Sequence, residues 1–155
     1  MVQGMKKFVF DLQGVLEIKE KLEGQAKVDF GIARAALTAE EEKLEALKEK
    51  RSGYLEQMRM SVEGALKVIE INRIKDAISI TDENIMQQDM AVKRAARQLE
   101  IARAKLNKVV QERKTIEKLR EKQFEDYIKE LDAEERKEID QLVSYRYTAS
   151  EENTD

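Results

Sequence analysis

The chain has 155 residues, 39% of them charged and only 5% aromatic, with a formal net charge of −3. It contains no histidine and no cysteine, which excludes disulfides, thiolate metal sites and imidazole acid–base chemistry. It also contains no proline; this composition fits long, solvent-exposed helices in one domain better than a globular core.

A first helix is expected over about residues 6–61. Phe8, Leu12, Val15, Ile18 and Leu22 step by fours and threes, and Ala26, Phe30, Ala33, Leu37, Leu44, Leu47, Tyr54 and Met58 continue the stripe. That spacing lines one face of a helix with apolar side chains. The two consecutive steps of four, Leu22 to Ala26 to Phe30, predict a stutter that relaxes the supercoil locally. Gly14, Gly24 and Gly31 fall inside this helix, at about 1 kcal/mol each relative to alanine. Two readings of them stay open: tolerance within a long helix, or a softer half that moulds itself to a partner.

The segment Ser61-Val62-Glu63-Gly64-Ala65 is the expected break, with a turn over residues 62–65 and Gly64 supplying a helix-ending conformation. A second helix follows over about 66–146. Ile71, Ile78, Ile85, Val92, Leu99 and Leu106 recur every seven residues, interleaved with Ile74, Thr81, Gln88, Ala95, Ala102, Val109 and Ile116. This is a coiled-coil seam. The fold expected is all-α: a long antiparallel two-helix coiled coil, a helical hairpin over 1–147, with an overhanging C-terminal helix end. Paired residue numbers should sum to about 128, placing Phe8 near Arg120, Phe30 near Leu99 and Leu47 near Thr81. About the last 20 residues of the second helix then lack an opposite strand, although Tyr127, Ile128, Leu131, Ile139, Leu142, Val143 and Tyr145 give them an apolar side. An unpaired helix of this kind needs a partner. Residues 148–155 are polar and acidic and are expected to be disordered.

Charge is uneven along the second helix. Lys93 to Lys122 holds eleven basic and four acidic residues, whereas Glu125 to Tyr145 holds three basic and eight acidic. A solvated face explains such runs by default; a basic shaft and an acidic end meeting different surfaces is the functional alternative. Met58, Met60, Met86 and Met90 lie near the turn, as irregular core or as a docking face.

No catalytic constellation, phosphate loop, metal site or cofactor motif is present. Glu40-Glu41-Glu42 and Glu134-Glu135 splay around a helix rather than converging. Nucleic acid is not an expected partner, because no aromatic residue interrupts the basic run for base stacking. No apolar run reaches the ~20 residues that cross a bilayer, and no signal peptide is evident. The expectation is a non-enzymatic cytoplasmic protein without direct membrane insertion.

Both ends of the chain carry motifs that heptads do not require. The opening runs Lys6-Lys7-Phe8-Val9-Phe10-Asp11-Leu12-Gln13-Gly14-Val15-Leu16. Toward the other end stand Glu117-Lys118-Leu119-Arg120-Glu121-Lys122 with Tyr127, then Glu138-Ile139-Asp140-Gln141-Leu142 and Arg146-Tyr147. From Met5 to Tyr147 the chain resembles the FliJ family, small proteins of the flagellar type III export apparatus. The resemblance implies an antiparallel two-helix coiled coil, similar to the central stalk of rotary ATPases. Its partners would be the hexameric flagellar export ATPase, the cytoplasmic domain of the export gate membrane protein, and export chaperones. It implies an ATPase-facing set of Phe8, Phe10, Leu12, Gln13, Leu16, Arg113, Lys118, Arg120, Ile139, Leu142, Arg146 and Tyr147. It further implies a gate-facing set of Leu47, Tyr54, Ala77, Thr81 and Ile85, and a location peripheral to the export apparatus at the membrane. The alternatives are a general holdase chaperone and a homo-oligomeric coiled coil whose overhangs pair between chains.

Overall fold

The structure, a computed structural model, describes residues 7–63 and 68–152. It consists of two helices, α1 (Gln13–Glu63) and α2 (Val68–Glu152), with no strand among the described residues. The helices pack against each other as an antiparallel coiled coil. Cross-helix pairs such as Glu40 with Gln88, Lys19 with Glu112 and Arg51 with Asp82 have residue numbers that sum to between 128 and 133, a register close to the expected one.

The element boundaries differ from the sequence-based ones in particular ways. Residues 7–10 are not helical, and α1 starts at Gln13 rather than near residue 6. Phe-Val-Phe favours extended backbone, and alternation buries Phe10 and half-buries Phe8 while Val9 stays 75% exposed. The Gln13 N–H donates to the Phe10 carbonyl at 3.0 Å, closing the turn into the helix. Of the expected turn at 62–65, Val62 and Glu63 are still helical, whereas Gly64 and Ala65 lie outside the described residues, as do 66–67. At the other end α2 runs on past 146 to Glu152, including residues 148–152, where disorder was expected. No glycine or proline stops it, and the Thr148 and Ser150 hydroxyls donate to the Ser144 and Tyr147 carbonyls at 2.9 Å. Residues 153–155 lie outside the described residues.

The inner face of α1 also departs from the expected stripe. Its positions that are not exposed are Leu16, Lys19, Glu23, Ala26, Phe30, Ala33, Leu37, Glu40, Leu44, Leu47, Arg51, Tyr54, Met58 and Ser61. These steps alternate three and four without interruption, so the expected stutter at Leu22 is absent. Ile18 and Leu22 are instead 58% and 46% exposed. Lys19 and Glu23 occupy the seam because long side chains can lay their aliphatic stems along it while the charged ends find partners. Lys19 Nζ meets Glu112 at 2.7 Å, and Glu23 meets Lys27 at 3.5 Å. The α2 ladder from Ile71 to Ile116 packs as its spacing predicts, every member half-buried or buried. Gly14, Gly24, Gly31 and Gly53 face open space, where a Cβ would meet nothing within 4 Å, so the packing of this chain does not require them.

Contacts divide the chain into two units, Met1–Lys21 with Val110–Asp155, and Leu22–Val109. In the first, Phe10 and Leu16 are the buried apolar residues, and Phe8 packs its ring against Phe124 and Tyr127. In the second, Ala26 and Leu99 are the buried apolar residues, and polar layers interrupt the seam. Gln88 donates to the Glu40 carbonyl at 2.9 Å and to its carboxylate, Arg51 Nε bonds Asp82 at 2.5 Å, and the buried Thr81 hydroxyl donates to Ala77 O at 2.7 Å.

The inner face makes two predictions. Leu16→Ala should cost about 2–4 kcal/mol and Ile18→Ala less than about 0.5 kcal/mol, read from denaturant midpoints; equal costs would restore the seam that hydrophobicity alone suggests. Gln88→Leu alone should cost about 1 kcal/mol by removing its bonds to Glu40, which keeps only Lys43 at 3.7 Å. Adding Glu40→Leu should recover most of that loss, a non-additivity measured by a double-mutant cycle.

Candidate protein-docking site

In the unit formed by Met1–Lys21 and Val110–Asp155, the non-helical segment 7–10 sets Phe8 against α2. The Phe8 ring meets Phe124 edge-on at 5.2 Å and Tyr127 at 5.6 Å, and the Arg120 guanidinium sits over its face at 5.8 Å. Arg113 Nη1 pairs with Glu117 at 2.8 Å one turn along the helix. Lys7, Val9, Asp11, Asp126, Glu130 and Leu131 border an open groove of about 670 Å³ beside the Phe8 and Tyr127 rings. Farther along α2 every residue from 132 to 148 is exposed. Ile139, Leu142 and Val143, spaced to share one helix face, turn that apolar face outward, and Tyr145 and Tyr147 are exposed as well.

The twelve residues of the ATPase-facing set all belong to this unit, but they divide by role. Phe10 and Leu16 are 5% exposed and hold the unit together; Leu12 and Phe8 are half-buried. Arg113 is half-buried beside Glu117. Gln13, Lys118, Arg120, Ile139, Leu142, Arg146 and Tyr147 are exposed and can meet another protein. Sequence reasoning left out Val9 and Phe124, both exposed. The Phe124–Tyr127 spacing of three, which places two aromatic rings on one helix face, was the available signal.

In the unit of Leu22–Val109, the gate-facing set lies along the seam. Thr81 is 3% exposed, and Leu47, Tyr54, Ala77 and Ile85 are half-buried. Tyr54 carries Lys50 Nζ 6.0 Å from its ring centre. These residues therefore offer only the outer edges of side chains engaged in helix packing. More exposed apolar surface in this unit comes from Met60, Val62, Val68 and Ile69, and from Met86 and Met90.

Among the described residues no three His, Cys, Asp or Glu side chains are placed to hold a metal ion, and no helix is long and apolar enough to cross a membrane. The site consists of exposed apolar and charged side chains on helical surfaces, which suits docking to another protein.

No protein of curated function matches the chain. A solved structure of a YscO homolog, CT670 from Chlamydia trachomatis, is similar to it with a TM-score of 0.60 and 21% identity, covering 94% of this chain and 99% of that one. The likeness shows a shared fold. The family described as "Flagellar FliJ protein" matches residues 8–152, including the Phe-x-Phe opening, the Arg120–Tyr127 stretch and the Arg146-Tyr147 pair, and the chain therefore belongs to the FliJ family of flagellar and type III export components.

Proposed function

We propose that the chain is a non-enzymatic stalk and adaptor of the flagellar export apparatus, one that binds the hexameric export ATPase and stimulates it. The observation that carries this reading is the stretch 132–148, exposed throughout yet bearing Ile139, Leu142 and Val143 on one side. A helix with an uncovered apolar side is held in water only marginally by its own backbone, and a partner that covers that side stabilises it. The ring supplies such a partner in a central-stalk arrangement. Lys118, Arg120 and Arg146 add exposed positive charge in the same unit, suited to carboxylates lining the ring and to steering the encounter.

The remaining partners in this reading are the cytoplasmic domain of the export gate and the export chaperones. Gate contact falls on the outer edges of Leu47, Tyr54, Ala77 and Ile85, with Thr81 acting as packing. The protein works in the cytoplasm, at the membrane only through these partners.

Mixing the full chain with its cognate export ATPase at low salt should raise both hexamer content and the rate of ATP hydrolysis. Replacing Lys118 and Arg120 together by glutamate should weaken the response at least about tenfold with helicity unchanged by circular dichroism. ATPase activity that does not respond to the wild-type chain at low salt overturns the proposal.

A further inference from the structure

Two oppositely charged faces of α2 are left uncovered by packing within the chain. The first lies between residues 94 and 108. Arg94, Arg97, Lys105 and Lys108 are exposed and make no ion pair among the described residues. Their neighbours Lys93 and Arg103 are held by Asp89 and Glu100 at 3.1 and 3.5 Å. Residues three, four or seven apart share a helix face. Arg94, Ile101 and Lys108 thus form one line, with Arg97, Ala104 and Lys105 beside it. The four cations surround Ile101, whose side chain is 43% exposed.

The second face lies between residues 134 and 143. Glu134, Glu135 and Glu138 are exposed and without an ion pair among the described residues. Glu135 and Glu138 share a helix face with Ile139 and Leu142, with Glu134 beside Glu138, whereas the exposed Arg136 and Lys137 in the same stretch lie on other sides of the helix. The Glu135–Glu138 face thus carries the charge opposite to the Arg94–Lys108 face, and each includes exposed apolar side chains. Two stretches of one α-helix cannot lie side by side, so only another copy can bring them together.

We propose that the acidic face at 134–143 of one copy docks on the basic face at 94–108 of a second copy. The two patches differ, so each copy carries both halves of the contact and can pair reciprocally in a two-fold dimer or head to tail in a longer chain. A contact a few helical turns long falls below the ~1,200 Å² of a stable interface, and exposed charge pairs are screened within ~8 Å at physiological salt. The association is therefore weak, reversible and salt-sensitive. It goes beyond the ATPase reading and does not depend on it; if both hold, they compete for Ile139 and Leu142.

Sedimentation equilibrium of the full chain over a wide concentration range tests this. At low salt the mean mass should climb with concentration above that of the monomer, and high salt should return it to the monomer. Glu135→Lys with Glu138→Lys, and separately Arg94→Glu with Arg97→Glu, should each raise the dissociation constant about tenfold or more, with helicity unchanged. An equimolar mixture of the two variants should regain association, because each then offers the charge that the other needs. A wild-type chain that stays monomeric, association that ignores salt, or a mixture no better than its components would overturn the proposal. So would an ATPase or another acidic helix competing at the basic face while the chain alone never exceeds a monomer.

Discussion

Everything in this protein depends on one geometric constraint: the seam of α1 must return to the same face every seven residues. It does so at fourteen positions from Leu16 to Ser61, in steps that alternate three and four. A two-helix coiled coil keeps its contact line only if that period is kept. The period therefore outranks the hydrophobicity of any one residue. Lys19, Glu23, Glu40 and Arg51 are drawn onto the inner face, and Val15, Ile18, Leu22, Val28 and Ile32 are left outside. A seam with polar members is weaker than one of pure leucine, but Lys19, Glu40 and Arg51 meet Glu112, Gln88 and Asp82 only in this register, whereas Glu23 pairs with Lys27 of its own helix.

That register is written in the cross-helix pairs. Lys19 reaches Glu112, Gln88 reaches both the backbone and the carboxylate of Glu40, and Arg51 reaches Asp82. Sliding either helix by one heptad would preserve most of the apolar contacts but would separate these partners. Losing the partner costs most at the part-buried Lys19–Glu112 and Glu40–Gln88 contacts and little at the exposed Arg51–Asp82 pair. The polar layers thus act chiefly against wrong alignments, the role a buried asparagine plays in other coiled coils. Phe30 adds to this, since Arg103 lies over its ring at 5.7 Å and would lose that face in any other register.

The sequence made the fold class legible because α2 is regular: Ile71 through Ile116 fill nearly every inner position with aliphatic side chains. It was less legible in α1, where apolar residues stand on both the inner and outer faces and the eye follows Ile18 and Leu22 instead of Lys19 and Glu23. Phe8 was placed on a helical stripe, although Phe-x-Phe also has the period of two that an extended segment shows, and that second period prevails here. Of the residues proposed to face the ATPase, Ile139, Leu142 and Tyr147 were legible as exposed because no described residue covers them. Phe10 and Leu16 were not separable from them by sequence, because a motif residue that packs and one that docks look alike until burial is known. The same ambiguity runs through Leu47, Tyr54, Thr81 and Ile85, which belong to the seam ladder and to the family resemblance at once.

No large side chain among the described residues is completely buried; Leu99 and Leu16, the best covered leucines, keep 8% and 5% of their surface. A thin two-helix layer cannot do better, since each residue has neighbours on one side only. Stability is then a sum of many modest, local terms, each layer depending mainly on the layers next to it. Such a molecule tolerates exposed apolar and charged groups on its outer faces better than a compact domain does, because altering an outer residue disturbs no shared core. The surfaces that meet partners can therefore vary independently of the seam that defines the fold. An interaction surface laid along a helix keeps its spacing because the backbone hydrogen bonds fix it, and it keeps its composition free because the seam makes no demand on that face. Docking is the task that this division of labour suits, and catalysis, which needs groups converging in a shielded pocket, is the task it suits least.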